Sequence, residues 1–368
     1  MTDHTRRLRL RHVELGGGAP VVVQTMCSTH TRDIESTIKQ IQTFQEAGAG
    51  IVRLAVDSPV DAAALKEIRS QTSAVLAVDL QENYRLAEKV APFVDKIRYN
   101  PGHLYHHEPQ RSVREKVASL IRTAQDNGCM LRIGVNSGSV DPAIAERFVG
   151  DRVGAMVESA FRHCELMEEL GFTNYVVSLK DSNPHHVIEA NRRFHALRSD
   201  VPLHLGVTEA GLPPEGIYKT RRALGPLLMD GIGDTLRISL TLPNEKKVEE
   251  VHEGHQLLSD VIKSQFNVPP ERKELNIIAC PSCSRVENEA FVELAEQVRA
   301  VTKYAAQHDI TIAVMGCRVN GPGETDHADI GLWCGPTAVH LKRGQELVGI
   351  FSYGEIINRL HQELRTLI

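Results

Sequence analysis

The chain has 368 residues, of which 42% are hydrophobic and 24% charged, and its formal net charge is −5. This length allows a large core and a second domain, and the lack of a basic excess argues against a dedicated nucleic-acid-binding protein. Every apolar run is shorter than the roughly 18 to 20 residues that a membrane-spanning helix needs.

The N-terminus and the cysteines indicate the compartment. The first fifteen residues are basic, but no apolar stretch follows them, so the sequence predicts no secretory signal. The seven cysteines are an odd number and mostly scattered, which is typical of a reducing environment and not of a disulfide framework. We therefore expect a cytoplasmic protein.

The first 240 residues alternate short β-branched runs with longer amphipathic stretches. Helical stretches such as 34–48 and 153–171 end in Gly48 and Gly171, the residue type that most often stops a helix. Strands are predicted at 21–26, 51–56, 74–80, 96–100, 131–136, 175–180, 203–209 and 235–240. Eight such βα units predict an α/β fold closed into a (β/α)8 TIM-type barrel. An open doubly wound sheet is the alternative, which the lack of a GxGxxG motif after the first strand disfavours.

Polar residues recur at alternate positions of these predicted strands. The pairs are Arg98 with Asn100, Arg132 with Asn136 across Gly134, Ser178 with Lys180, and Arg237 with Ser239, and Arg53, Asp79 and Glu209 extend the set. Because side chains alternate faces along a strand, each pair lies on one face. All of them fall near the carboxyl ends of strands, where barrel active sites lie. The sequence therefore predicts a barrel mouth lined with cations and amides.

A mouth lined with cations predicts an anionic ligand. Arginine binds phosphate oxygens with a planar fork and lysine adds a compact charge, so a diphosphate-bearing substrate is the simplest interpretation. The alternative is that each arginine pairs locally with a carboxylate and serves only the fold. The glycine run at 16–20 lacks the Lys-Ser/Thr end of a phosphate loop and indicates a turn.

The chain changes character after the eighth predicted strand. A charged helical stretch at 243–266 ends the barrel domain, predicted as 1–266, and consecutive prolines indicate a linker at 267–274. The remainder, 275–368, is predicted as a small α/β domain. Its predicted strands are 275–280, 310–316, 328–333 and 346–351, and its helices are 287–307 and 354–367.

Three cysteines of the second domain have the spacing of a metal site. Cys280 and Cys283 form a CxxC motif, and Cys317 precedes a Gly-Pro-Gly turn that ends in Glu324. Three thiolates and a carboxylate favour an iron–sulfur cluster with one weaker ligand. A structural zinc site is the second possibility, and packed or redox-active cysteines are the third. Spacing alone leaves open whether Glu324 or Cys334 is the fourth ligand.

These motifs resemble those of a known family. CPSC-SR, GCRVNGPGE and ADIGLW, together with VQTM, KIRYNPG, LRIGVNSGS, SLKDS, LGVTEAG and GIGDTLRISL, are similar to segments of the 4-hydroxy-3-methylbut-2-enyl diphosphate synthases. The similarity covers nearly the whole chain. It implies reductive ring opening and dehydration of 2-C-methyl-D-erythritol 2,4-cyclodiphosphate to (E)-4-hydroxy-3-methylbut-2-enyl diphosphate, in the methylerythritol phosphate route to isoprenoids.

The resemblance also implies roles for individual residues. The family's 4Fe–4S cluster would be held by Cys280, Cys283, Cys317 and Glu324, with Asn320 close to cluster or substrate. Substrate binding would fall to Arg53, Arg98, Arg132, Asn136, Lys180 and Ser239, and proton transfer to Glu209. The family is a homodimer in which the cluster domain of one chain closes over the barrel of the other, and ferredoxin or flavodoxin supplies its electrons.

One departure and two rival hypotheses accompany this resemblance. Cys27 stands where a small hydroxyl residue is expected after VQTM, and we interpret it as a tolerated small residue. A redox-inactive barrel synthase that acts on a phosphorylated substrate and carries a structural zinc module is the first rival. A zinc-stabilised adaptor for RNA or protein is the second, which the inward-facing arginines argue against.

Overall fold

The structure is a computed structural model that describes residues 4–80, 82–269, 275–317 and 321–368, except for the side chain of Pro322. A hairpin of β1 (Leu8–Leu10) and β2 (Val13–Leu15) comes first. Eight parallel strands follow: β3 (Val22–Met26), β4 (Ile51–Ala55), β5 (Leu76–Asp79), β6 (Lys96–Tyr99), β7 (Met130–Asn136), β8 (Tyr175–Lys180), β9 (His204–Leu205) and β10 (Thr235–Leu236). The predicted eight-stranded parallel sheet is therefore confirmed.

The sheet closes into a barrel. Its strand order is β8-β7-β6-β5-β4-β3-β10-β9, and a parallel bridge between Val177 and Leu203 joins the two ends. The strands β9 and β10 are shorter than predicted because the chain beyond them leaves regular pairing. Glu209, for example, has a φ of 46°, a left-handed conformation that is uncommon for a residue other than glycine.

Helices connect the barrel strands as the βαβ pattern predicts. They are α1 (Ile34–Glu46), α2 (Pro59–Ser70), α3 (Ala87–Val90), α4 (Val113–Asn127), α5 (Pro142–Ala145), α6 (Arg152–Glu169), α7 (Pro184–Leu197), α8 (Glu215–Met229) and α9 (Glu249–Ile262). The predicted stops Gly48 and Gly171 follow α1 and α6 with φ values of 91° and 72°. No helix in the described part of the chain is both long and apolar enough to cross a membrane.

The amino end of the barrel is filled by apolar side chains. Leu10 and Leu15 of the hairpin form a buried cluster with Ile51, Met130 and Val176, which lie at or near the starts of their strands. Apolar contact of this kind excludes water from the barrel floor.

The C-terminal domain has its own sheet and core. Its elements are β11 (Asn276–Ala279), α10 (Ala290–Val301), β12 (Thr311–Met315), α11 (Gly321–His327), β13 (Ile330–Cys334), β14 (Val339–Arg343), β15 (Glu346–Phe351) and α12 (Ile356–Leu364). The first three strands are parallel and the last two pairings are antiparallel. Most of the predicted linker, residues 270–274, lies outside the described residues, and the predicted domain boundaries stay a prediction.

Two elements of this domain were not predicted. The strand β14 pairs with β15 through a turn at Gly344, whose φ is 53°, and its Lys342 and Arg343 concealed the strand pattern. The helix α11 covers the stretch that we interpreted as a Gly-Pro-Gly turn. Proline is tolerated in the first turn of a helix, so that prediction of a turn was wrong.

The C-terminal domain lies over the mouth of the barrel of its own chain. A parallel bridge joins Ala210, after β9, to Ala279 of β11. Thr241 Oγ1, after β10, donates to the carbonyl oxygen of Cys280 at 2.9 Å. These contacts hold the start of the CxxC segment against the carboxyl ends of the barrel strands.

Candidate active site

The predicted cations converge on one cavity at the barrel mouth. Arg53, Arg98, Arg132 and Lys180 are each at most 8% exposed, and all line this cavity together with the cysteines of the second domain. The other predicted barrel residues that line it are Asp79, Asn136, Glu209, Arg237 and Ser239. The structure therefore brings together most of the positions selected by strand alternation, but Asn100 and Ser178 do not line the cavity. The roles of all these residues stay a prediction.

Asp79 organises the arginines of this cavity. Its carboxylate lies 3.0 Å from Arg98 Nη1, 3.4 Å from Arg53 Nη2 and 3.1 Å from Arg285 Nη1. Burial acts to raise the pKa of Asp79, but the charges of Arg98, Arg285 and Arg53 outweigh it and hold this pKa well below its ordinary value. Asp79 is therefore a carboxylate that several arginines share.

Two glycines make room for the cations inside the barrel. A Cβ atom on Gly134 would lie 2.1 Å from Arg98 Nε, and one on Gly206 would lie 2.4 Å from Lys180 Nζ. Both distances are far below van der Waals contact, so a side chain at either position would displace a cation. Glycine at these two points lets long basic side chains lie across the inner face of the sheet.

The CxxC segment is held in place by the chain that follows β10. Ser282, between the two cysteines, has a φ of 40°, and its Oγ donates to the carbonyl oxygen of Leu242 at 2.5 Å. The buried ammonium group of Lys247 donates to the carbonyl oxygen of Pro281 at 2.6 Å and to Glu250 Oε1 at 2.8 Å. The barrel thus fixes the backbone from which Cys280 and Cys283 project.

The three predicted cysteine ligands face the same cavity as the cations. Cys280, Cys283 and Cys317 all contribute to its wall. Burial raises the pKa of Cys280 well above its ordinary value, and so do the nearby Cys317 and Cys283, while the N–H of Gly316 donates to its sulfur at 3.3 Å. A cation would relieve this mutual repulsion of thiolates, so the donor set fits a positively charged metal group.

The arrangement of donors distinguishes between kinds of metal centre. Among the described residues, no three Cys, His, Asp or Glu side chains converge closely enough to hold one metal ion. A structural zinc ion needs four ligands around a single point, whereas the cysteines of an iron–sulfur cluster bind different iron atoms. Cysteines that share one cavity wall are the donor type that an iron–sulfur cluster uses.

The candidates for a fourth ligand lie in different surroundings. Glu324, in the first turn of α11, faces the barrel loop at Gly138, where an added Cβ would lie 3.5 Å from Glu324 Oε1. Burial, Glu209 and Asp181 together raise the pKa of Glu324 to about 8. Cys334 is fully buried in the apolar core of the C-terminal domain, to which Cys280 also belongs. Unlike Cys280, Cys334 does not line the cavity, and neither does Glu324. Asn320 lies outside the described residues.

Arg285 is a site residue that the sequence analysis did not predict. It follows Cys283 by two positions, and its guanidinium forms a fork with Asp57, with Nε–Oδ2 and Nη2–Oδ1 distances of 2.8 Å. It also donates to the carboxylate and the carbonyl oxygen of Asp79. The SR dipeptide after the CxxC motif was its only signal. Arg285 connects the cysteine segment to the barrel carboxylate that the other arginines share.

The remaining cysteines have structural environments. Cys27, after β3, is 1% exposed and belongs to the main apolar core of the barrel, as do Cys129 and Cys164. Burial raises the pKa of the Cys27 thiol above its ordinary range. The interpretation of Cys27 as a small core residue is therefore confirmed.

The fold and the site define the protein as a TIM-barrel enzyme whose mouth is covered by a second domain that bears cysteines. The chain belongs to the GcpE family: residues 5–255 match the GcpE TIM-barrel domain and residues 276–366 match the GcpE protein C-terminal domain. Both matches agree with the two sheets of the structure.

Curated relatives support this assignment over the full length of the chain. A protein of Rhodopirellula baltica is 57% identical over 367 residues, which is 99% of this chain and 96% of that protein. Relatives in Nitratidesulfovibrio vulgaris and Fusobacterium nucleatum are 41% and 38% identical, covering 96% and 98% of this chain and 84% and 94% of their own. All three are named 4-hydroxy-3-methylbut-2-en-1-yl diphosphate synthase (flavodoxin).

Solved structures support the barrel fold alone. Dihydropteroate synthase of Yersinia pestis, in complex with a sulfonamide drug, matches 71% of this chain and 99% of its own with a TM-score of 0.50 and 13% identity. Similarity at this level identifies an architecture that many unrelated functions share.

Proposed function

We propose that this protein catalyses the two-electron reductive opening and dehydration of 2-C-methyl-D-erythritol 2,4-cyclodiphosphate to (E)-4-hydroxy-3-methylbut-2-enyl diphosphate. The names of the curated GcpE relatives support the product. The observation that carries the proposal is that five buried barrel cations and three cysteines line one cavity. An anionic ring and a source of electrons would meet there.

The cations supply the binding site for the diphosphate. Arg53 and Arg98 are oriented by Asp79, while Arg132 and Lys180 add two further charges to the wall. Asn136 and Ser239 are proposed as neutral hydrogen-bond partners of the substrate. As the ring opens, the diphosphate leaves carbon and gains negative charge, and cations already in place stabilise that charge where it develops.

The cysteines are proposed to hold a 4Fe–4S cluster. Cys280, Cys283 and Cys317 would be three of its ligands. Glu324 would be the fourth, because it lies in the helix that follows Cys317 and faces the barrel. When bound, the cluster would supply electrons one at a time, chemistry that no side chain provides. The zinc module of the rival hypothesis is disfavoured because the described donors do not converge on one point.

Glu209 is the proposed residue for proton transfer. It is 2% exposed, lies after β9 and lines the cavity. Its φ of 46° is a strained conformation of the kind that concentrates at active sites. Loss of the substrate hydroxyl as water requires a proton, and a carboxyl group in the cavity wall is placed to hold one at that oxygen. Asn320 is kept as a proposed contact to cluster or substrate.

Three further statements belong to the same proposal. Flavodoxin is the proposed electron donor, because the relatives' names specify it, with ferredoxin as the alternative. The protein is proposed to form a homodimer in which cluster domain and partner barrel meet, whereas the contacts described above lie within one chain. Residues 1–266 and 275–368 are the proposed barrel and cluster domains.

The test is spectroscopy and turnover of protein purified without oxygen. We expect about four iron and four sulfide ions per chain, a brown chromophore, a spectral change when the cyclodiphosphate is added, and product formation with reduced flavodoxin. A colourless, zinc-loaded protein that is fully active would contradict the proposal. If the protein is brown and binds the cyclodiphosphate but never converts it, the proposed cluster would stand and the proposed reaction would be wrong.

A further inference from the structure

Lys180 is held differently from the other cations of the cavity. Its ammonium nitrogen lies 3.2 Å from Nε2 of His204, the first residue of β9. The other ring nitrogen, Nδ1, lies 2.7 Å from Oγ1 of Thr235, the first residue of β10. Lys180 is 5% exposed, Thr235 1% and His204 fully buried. Three adjacent strands therefore contribute one continuous chain of polar contacts that ends in the cavity.

The chemistry of these groups fixes the direction of the hydrogen bonds. Burial and the nearby arginines lower the pKa of Lys180, and a bound anion favours its charged form. In that form the ammonium group donates only, so Nε2 of His204 accepts from it. A neutral imidazole then carries its proton on Nδ1 and donates it to Thr235 Oγ1. Thr235 thus selects the tautomer that leaves Nε2 able to receive the Lys180 ammonium group.

His204 is in surroundings that keep its ring neutral. Burial lowers the pKa of His204 well below its ordinary value, and the nearby charges of Lys180 on β8, Arg132 on β7, Lys96 on β6 and Arg53 on β4 lower it further. These four groups are all cations. A neutral ring can orient Lys180 and leave its charge intact. A carboxylate in the same place would neutralise that charge.

Three of the other barrel cations, Arg53, Arg98 and Arg237, lie near a carboxylate that offsets part of their charge. Arg53 and Arg98 share the carboxylate of Asp79, and Arg237 Nη2 lies 4.0 Å from Glu250 Oε2. Gly206, two residues after His204, leaves the space that the Lys180 ammonium group occupies, because a Cβ there would lie 2.4 Å from Nζ. The strand β9 thus provides both the acceptor and the room for this lysine.

We propose that His204 is a positioning residue that directs Lys180 toward the anionic substrate, with its own ring held by Thr235. This inference rests on the proposed function, since it assigns the anion-binding geometry of the same cavity. His204 does not contact the reacting atoms. Its effect passes through Lys180 alone, and that restriction makes the proposal testable.

Two amide substitutions separate the two nitrogens of the ring. The amide of Gln reaches about as far as Nε2, so His204→Gln keeps an oxygen that can accept from Lys180. The amide of Asn reaches only as far as Nδ1, so His204→Asn keeps a partner for Thr235 and leaves Lys180 without its acceptor. The variants differ by one methylene group and introduce the same polar group, so each serves as the control for the other.

The experiment measures calorimetric binding of inorganic pyrophosphate to the cluster-loaded protein, together with KM and kcat for the cyclodiphosphate. We expect His204→Asn to weaken pyrophosphate binding and raise KM by about ten- to a hundredfold, the range for one hydrogen bond to a charged group. We expect kcat to fall as well, because Lys180 also stabilises the charge that develops on the diphosphate, and iron content to change little. We expect the pyrophosphate affinity and KM of His204→Gln to stay within about threefold of wild type, which is less than the loss of one hydrogen bond.

A second background isolates the route through Lys180. In the Lys180→Met protein, His204→Asn should have no further effect on pyrophosphate binding, because a positioning residue acts only through the group it positions. Equal losses in His204→Asn and His204→Gln, or a full loss in the Lys180→Met background, would overturn the proposal. Thr235→Val and Thr235→Ser provide a second pair if His204→Asn does not fold: Val should weaken binding and Ser should retain it, and the opposite order would also overturn it.

The outcomes distinguish this inference from the proposed function. Wild-type protein that binds pyrophosphate but does not convert the cyclodiphosphate would contradict the proposed reaction, while the comparison of His204 variants would still decide the role of His204. Normal turnover with independent effects of His204 and Lys180 would contradict only the inference. Wild-type protein with no affinity for pyrophosphate would overturn the inference outright.

Discussion

The barrel and the C-terminal domain present their functional side chains in different ways. In the barrel, Arg53, Arg98, Arg132 and Lys180 lie on strands β4, β6, β7 and β8, each hydrogen-bonded to its neighbours. In the C-terminal domain, the cysteines lie on loops after strands β11 and β12, and the loop after β11 is held by contacts from the barrel. The anion site is therefore built by its own sheet, whereas the cysteine site depends on docking.

The largest effect should come from removing one cysteine, since this disables one half of the cavity and spares the other. Cys283→Ser should lower turnover by at least about a hundredfold. Loss of a residue that only supports a metal ligand costs up to about that much, and Cys283 is proposed as a ligand itself. Iron content should fall, and pyrophosphate affinity should stay near that of wild type, because Arg53, Arg98, Arg132 and Lys180 lie on barrel strands. Iron analysis, turnover and calorimetry measure the three quantities.

Cys334→Ser is the matched control for that experiment. Cys334 is buried in an apolar core and does not line the cavity, so this variant should lose some stability and keep its iron. A loss of iron from Cys334→Ser would make Cys334 the fourth ligand. A parallel loss of pyrophosphate binding in Cys283→Ser would mean that the two halves are not independent.

Asp79→Asn should have the next largest effect, on the barrel half. Asp79 neutralises part of a buried cluster of arginines, and removing one partner of a buried ion pair costs about 3–5 kcal/mol of unfolding free energy. Saturating pyrophosphate should restore more stability to this variant than to wild type, because an added anion replaces the lost charge. Urea unfolding with and without pyrophosphate tests both statements.

The same variant makes a prediction about pH. The folded-state pKa of Asp79 lies below its unfolded value, so the stability that its ionisation contributes is present above an unfolded pKa of about 3.9. It is lost as the pH falls toward the folded pKa. The difference in unfolding free energy between wild type and Asp79→Asn should therefore be constant from pH 6 to 8 and shrink below about pH 4. A difference that grows on acidification would contradict this assignment.

The success of sequence-based prediction follows the same division between the two regions. Strand alternation placed Arg98, Arg132, Lys180 and Ser239 correctly in one cavity, because a period of two residues fixes the face of a side chain before any partner is known. The loop residues offered no such rule. Arg285 was missed because its partners Asp57 and Asp79 lie more than 200 positions away in the chain.

Residues that act through a neighbour were also harder to predict. His204 lies on a predicted strand, but its partners Lys180 and Thr235 belong to the two adjacent strands, 24 and 31 positions away. Its role depends on which strands are neighbours and on the space that Gly206 leaves. The spacing of residues along the chain reveals neither of these. The role of Glu324 stays a prediction, since the described contact of its side chain is with the barrel loop.

Arg285→Lys should separate docking of the C-terminal domain from the anion site. The guanidinium of Arg285 is 8% exposed and binds Asp57 through a two-point fork that lysine cannot form. We expect a loss of about 1.5–3 kcal/mol, the range for hydrogen bonds to charged groups. Hydrogen exchange should become faster at residues 280–286, and pyrophosphate binding should change little.

Arg299→Lys provides the comparison at the same domain junction. Arg299 pairs with Glu215 at 3.3 Å, but the two side chains are 34% and 67% exposed. An exposed ion pair contributes about 0–1 kcal/mol, so this variant should unfold almost as wild type does. Equal losses in the two variants would show that the fork of Arg285 has no special part in docking.

The last comparison adds one methyl group on either side of this division. Gly134→Ala places a Cβ 2.1 Å from Arg98 Nε inside the barrel, whereas Gly138→Ala places one 3.5 Å from Glu324 Oε1 in the loop that faces α11. The first must displace Arg98, so we expect pyrophosphate affinity to fall about tenfold, as for one impaired charged hydrogen bond. The second is an ordinary van der Waals contact, so affinity and iron content should remain those of wild type. If Gly138→Ala were the more damaging of the two, the loop at Gly138 would be as tightly constrained as the strand, and the contrast between a rigid barrel site and a docked cysteine site would be wrong.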